Sequence, residues 1–105
     1  MTEVDKCVIV FEYWFRIDDS DYHVTKGIVY DSLDGDQPPN DWIDDNLVCI
    51  FHGISVRFGF SRIWNMLPRV DKIAVTSQYT GEVILFESGD GANIYLNDIF
   101  SQVFV

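Results

Sequence analysis

Between Gly27 and Val56 the chain contains no lysine or arginine, although the span holds six aspartates. Positive charge is scarce throughout: seven basic residues stand against seventeen acidic ones, a formal net charge of −10. The seven are scattered, and a field of that sign repels DNA, RNA and anionic lipid, so neither direct nucleic-acid binding nor membrane binding is expected. There is no run of about 18 apolar residues, so no membrane-spanning helix is expected either. The start, "MTEVDK", lacks the basic residues and apolar run of a signal peptide, and a cytoplasmic protein is expected.

Catalytic equipment is equally thin. His23 and His52 are the two histidines, and a Ser–His–Asp or Cys–His hydrolase needs one of them beside a nucleophile. His52 follows Cys49 by three residues, which on a strand sends the two to opposite faces. Cys7 and Cys49 lie in the apolar runs "CVIVF" and "LVCIF", without a second Cys or a His at metal-ligand spacing. Two buried, reduced thiols are expected, with a single disulfide left open. The segment "GDGA" at 89–92 lacks the Lys-Ser/Thr of a phosphate loop. In "DSLDGDQPPNDW", counting from Asp34 places Pro38 where a calcium loop needs an oxygen ligand and Pro39 where it needs glycine. No enzyme, metal or cofactor is expected.

What is present suits a folded domain. Hydrophobic residues make up 48% and aromatics 15% of 105 residues, enough for one core and one domain over 1–105. Residues 6–17 alternate as a long strand, with Cys7, Ile9, Phe11, Tyr13 and Phe15 on the core side. The other side, Val8, Val10, Glu12, Trp14 and Arg16, turns from apolar to charged, so cover is expected at one end only. "DDSD" at 18–21 is a turn, and 22–31 is the returning strand, with Gly27 as a bulge candidate. Asn40 or Asp41 suits the cap of a single helical turn over 41–46. Residues 47–60 read as the strongest core strand, with bends at Gly53 and Gly59, and 61–68 as a short helix capped by Ser61. "DKIAVTSQY" and "EVILFES" flank Thr80-Gly81 as a hairpin, "SGDGAN" is a turn, and "IYLNDIFSQVFV" reads as a closing strand whose first part suits a helical turn. The expected class is α+β, mainly antiparallel β-sheet of about six strands, with one or two short helices.

The charge is unevenly spread. Residues 1–45 carry twelve acids and three bases, a net of −9, and residues 46–105 carry five acids and four bases, a net of −1. Within the acidic half, "DGDQPPNDWIDD" (34–45) surrounds Trp42 with five aspartates. Trp and acidic groups together supply an interface anchor and electrostatic steering toward a basic protein. The expected partner-binding set is Asp18, Asp19, Asp21, Asp31, Asp34, Asp36, Asp41, Trp42, Asp44 and Asp45. Two placements are open for Trp42: outward to a partner, or inward as a plug over the sheet end. Ile43 is expected inward.

A small acidic domain of this kind, with "FHGISVRFGFSRIWNML" and "IYLNDIFSQVFV", resembles the small sheet-forming immunity proteins of bacterial polymorphic and contact-dependent toxin systems. The resemblance implies a cognate toxin, bound and blocked. With the acidic surface, it points to occlusion of a basic partner such as a nuclease. The alternatives are a phage anti-defence protein that mimics nucleic-acid charge and a non-catalytic protein-interaction module.

Overall fold

The computed structural model describes residues 4–17, 19–33, 37–58, 69–78 and 80–103. In chain order the elements are β1 (Val4–Ile17), β2 (Ser20–Leu33), α1 (Asn40–Phe58), β3 (Arg69–Ser77), β4 (Val83–Ser88) and α2 (Asp90–Val103). The strands form one antiparallel sheet in the order β2-β1-β3-β4. Because β2 and β3 both run antiparallel to β1, they are parallel to each other with β1 between them. α1 is therefore a crossover connection that returns the chain across the sheet. No described helix is long and apolar enough to cross a membrane.

β1 organises the core. Ile9, Phe11, Tyr13 and Phe15 are all buried, as their shared parity predicts, and Val70, Ile73 and Val75 of β3 lie beside them. Both helices cover this face. Tyr13 sits centrally: its hydroxyl donates to the Leu47 carbonyl at 2.5 Å, and its ring lies 5.7 Å from that of Phe51. Asn93 of α2 binds the β3 backbone in both directions, donating to the Val70 carbonyl at 2.8 Å and accepting from the Val70 N–H at 3.2 Å.

Two of the six expected strands are helices. In residues 40–58 the buried positions are Ile43, Leu47, Val48, Ile50, Phe51 and Ile54, a spacing of three and four that belongs to a helix. The apparent alternation after Gly53 fails at Val56, which is 57% exposed. The β-branched and aromatic content of "LVCIF" favours a strand locally, but the apolar face of β1 needs a cover, and that demand overrides propensity. α2 likewise buries Ala92, Leu96 and Ile99, at i, i+4 and i+7. It begins directly after Gly89, whose φ of 61° is accessible to glycine at little cost. The first α1 hydrogen bond runs from the Ile43 N–H to the Pro39 carbonyl at 3.2 Å, so one turn expected over 41–46 becomes 19 residues. The short helix expected over 61–68 and the bend at Gly59 lie outside the described residues.

Gly27 is not a bulge: β1 and β2 pair without interruption through Val10↔Gly27. A Cβ on Gly27 would lie 3.0 Å from Val8 Cγ1, so the bare glycine leaves room for the Val8 side chain. Gly53 is different. It is exposed within α1, and a Cβ there would meet no atom within 4 Å. Gly53→Ala should therefore stabilise the protein by about 0.5–1 kcal/mol, through helix propensity alone. Thermal melting should register an increase of a few degrees. A lowered midpoint would contradict the helix at this position.

Candidate acidic binding surface

The long hairpin divides the predicted acidic set. Asp19 and Asp21 lie at the β1–β2 turn, whereas Asp31 lies near the other end of β2. Ten residues of strand separate Asp21 from Asp31, about 33 Å, within a molecule 52 Å long. The two ends do not form one surface. Asp21 is also paired: its carboxylate lies 2.9 Å from Arg16 Nε, an exposed contact. That hydrogen bond, first, and the charge of Asp21 raise the Arg16 pKa above its ordinary value. Asp18, Asp34 and Asp36 fall outside the described residues.

The remaining residues come together at the start of α1. Trp42 is half-buried, with its ring 4.9 Å from Tyr30 of β2 in an edge-on arrangement and 6.0 Å from Phe11 of β1. Ile43 is buried. Trp42 is thus the inward plug of the two placements. Its contact with Tyr30 brings the first turn of α1 to the strand end that carries Asp31. Asp41 and Asp45, four residues apart, are exposed on the outward side of that helix. Asp41 lies in the first turn, where the helix dipole favours negative charge. Asp41 and Asp45 therefore form an acidic end on the helix side of the sheet, whereas Asp31, which follows Tyr30 on β2 and shares the parity of Val29, points to the opposite face.

Asp44 has a different role. Its side chain is partly buried and accepts a hydrogen bond from the Tyr95 hydroxyl, joining α1 to α2. Burial chiefly, and then the Asp44 hydrogen bond and charge, push the Tyr95 phenol well up. Burial does the same to Tyr13, with smaller contributions from Cys49 and Tyr95. A phenol whose folded pKa exceeds its unfolded value of about 10 contributes stability fully below pH 10 and loses it as pH rises above that. In an alkaline titration followed at 295 nm, tyrosinate absorbance from Tyr13 and Tyr95 should appear together with the loss of the circular dichroism signal. Tyr13→Phe with Tyr95→Phe should remove that late phase. Complete tyrosine ionisation in a still folded protein would contradict both placements.

Helix formation also relocates Cys49 and His52. Both are exposed on α1, and residues three apart on a helix share a face. The expected opposition of the two is therefore reversed, and Cys49 is not a buried thiol. Cys7 is half-buried, and both cysteines are free. Among the described residues no three His, Cys, Asp or Glu side chains are grouped to hold a metal ion.

Sequence reasoning passed over the outer face of the sheet, the side opposite the helices. There Trp14 is stacked at 4.5 Å and 9° against His23 from β2, and the Lys72 ammonium from β3 lies 4.6 Å from the indole centroid. Since β2 and β3 flank β1, the indole is held from both sides. His23 Nε2 lies 3.2 Å from Thr25 Oγ1 and 3.7 Å from Glu12 Oε2. The signal was present in the mixed parity of Val8, Val10, Glu12, Trp14 and Arg16, for which cover was expected at one end. Among the described residues no element covers this face. Comparison with protein-family models, curated proteins and solved structures found no match for this chain.

Proposed function

We propose that this chain is a non-catalytic inhibitor of the immunity-protein kind, which binds a basic toxin such as a nuclease and occludes its substrate cleft. The observation that carries this reading is the assembly of the acidic end. The Trp42–Tyr30 contact fixes the helix turn that carries Asp41 and Asp45 against the sheet, within a span free of lysine and arginine from Gly27 to Val56. Carboxylates on a rigid helix turn can occupy phosphate positions in a cleft lined by Lys and Arg, and their field accelerates the encounter. Asp44 and Trp42 serve by holding that turn, and Asp19 and Asp21 lie too far away to share the same contact.

Co-expression tests the proposal. A basic toxin encoded beside this chain's gene should arrest growth when expressed alone, and the wild-type chain should relieve the arrest. Asp41→Lys/Asp45→Lys, expressed at the same level, should not. Full protection by that variant would sink the acidic-end reading.

A further inference from the structure

The outer face of the sheet is ordered in rows across the strands. The first row is Val29–Val8, the second Gly27–Val10–Thr76–Val83, the third Thr25–Glu12–Ala74–Phe86 and the fourth His23–Trp14–Lys72–Ser88. The first three rows are apolar or neutral apart from Glu12. The fourth is the aromatic and cationic stack. Val29, Val83 and Phe86 are 56%, 58% and 54% exposed, so large apolar side chains stand in solvent at both edges of the face. A sheet with a half-apolar face ordinarily carries a second layer.

We propose that this face is a self-association surface, on which two copies of the chain pack sheet to sheet. Charge selects the occupant. Two chains of −10 repel each other over most of their surfaces. Along the strands of this face Arg16 and Lys72 stand against Glu12, Asp21 and Asp31, two minus three, or −1 with His23 counted as neutral, and Asp19 and Asp71 add negative charge only at its Arg16 end. It is the part of the molecule where a second copy meets little repulsion. A basic partner is steered instead to the acidic end of α1, and a strongly acidic one is repelled by the whole chain. A nearly neutral apolar surface is what the second copy presents in return.

The size is adequate. Four strands about 4.8 Å apart, with about 3.3 Å of rise per residue, give a face of roughly 600–800 Å², against about 800 Å² per partner in a standard stable interface. Face-to-face sheets pack about 10 Å apart, which would leave Val10, Val29, Val83 and Phe86 in the contact. The helices and the acidic end would face outward on both copies, so dimerisation and partner binding are separate properties.

Sedimentation equilibrium of the full chain tests this. The expected species at about 50 µM is twice the 12.1 kDa chain mass, in the micromolar-or-tighter range that interfaces of this size reach. Val29→Glu/Phe86→Glu should raise the dimer dissociation constant at least about tenfold, with an unchanged circular dichroism spectrum. Asp41→Lys/Asp45→Lys should leave a dimer, which separates this result from failure of the inhibitor reading. A 12.1 kDa species at every concentration overturns the proposal, as does a dimer unaffected by Val29→Glu/Phe86→Glu. If that double variant loses its sheet signal, Val83→Glu on β4 decides instead, and unchanged dimerisation there overturns it.

Discussion

Trp42→Ala should destabilise the protein by about 2–3 kcal/mol. Truncation of a fully buried Phe or Trp to Ala typically costs about 3–5 kcal/mol, and Trp42 is half-buried, which places it below that range. The indole contacts Phe11 and Tyr30, so the loss falls where α1 enters and where the sheet's β2 side is otherwise thinly covered. Small domains have only about 5–15 kcal/mol in total, which makes the change easy to measure. Urea unfolding should show a lower midpoint with an unchanged slope. Trp42→Phe, which retains an aromatic ring against Tyr30, should lose about 1 kcal/mol, since ring pairs contribute about 0.5–1.5 kcal/mol beyond area burial. If Trp42→Ala lost less than about 0.5 kcal/mol, the usual range for surface substitutions, Trp42 would not be a plug. If it does lose stability, Asp41 and Asp45 should also lose their fixed position over the sheet end, and partner binding should weaken although neither aspartate has changed.

Much of the sheet was legible because a long strand repeats its signal. Ile9, Phe11, Tyr13 and Phe15 share one parity without exception, and all four are buried. The β3–β4 hairpin was legible because Thr80-Gly81 punctuates two β-branched runs; Gly81 has a φ of 74°, which suits glycine at a turn. The helices were missed for one physical reason. Ile54, Val56, Phe58 and Phe60 happen to repeat every second residue, and β-branched side chains strengthen that impression. The pattern the fold uses is Ile43, Leu47, Ile50 and Ile54, and it begins inside the acidic segment, where no more than a single helical turn was expected. Ile94, the first apolar residue of "IYLNDIF", is 59% exposed, whereas Leu96 and Ile99 are buried.

The acidic site was legible as composition and not as geometry. A span without lysine or arginine can be read directly, but whether the acidic 18–21 turn joins it in space depends on strand length. Fourteen-residue strands carry the 18–21 turn away from Asp31, so proximity in sequence between Asp21 and Asp31 became separation in space. Asp44 and Asp45 are adjacent in sequence, yet a helix turns neighbours by about 100°. One therefore binds Tyr95 while the other faces solvent.

That difference sets the charge-reversal experiment. Asp41→Lys/Asp45→Lys changes the net charge by four, from −10 to −6, at two exposed positions whose side chains bear no packing load. Stability should shift by no more than about 0.5 kcal/mol, apart from a small loss at the helix N-terminus. Association with the basic toxin should slow markedly: steering raises on-rates by roughly 10–1000-fold, and reversal of two charges at the contact should remove at least about tenfold of it. The gap between variant and wild type should narrow as salt rises toward about 1 M, where the screening length falls to about 3 Å. Asp19→Lys/Asp21→Lys makes the same change in net charge at the opposite end of the hairpin. If overall charge alone governs the encounter, both variants slow equally. If the acidic end built by Trp42 is the contact, the Asp41/Asp45 variant also dissociates faster, and the Asp19/Asp21 variant does not. Equal dissociation rates for the wild type and both variants would remove the acidic end from the interface.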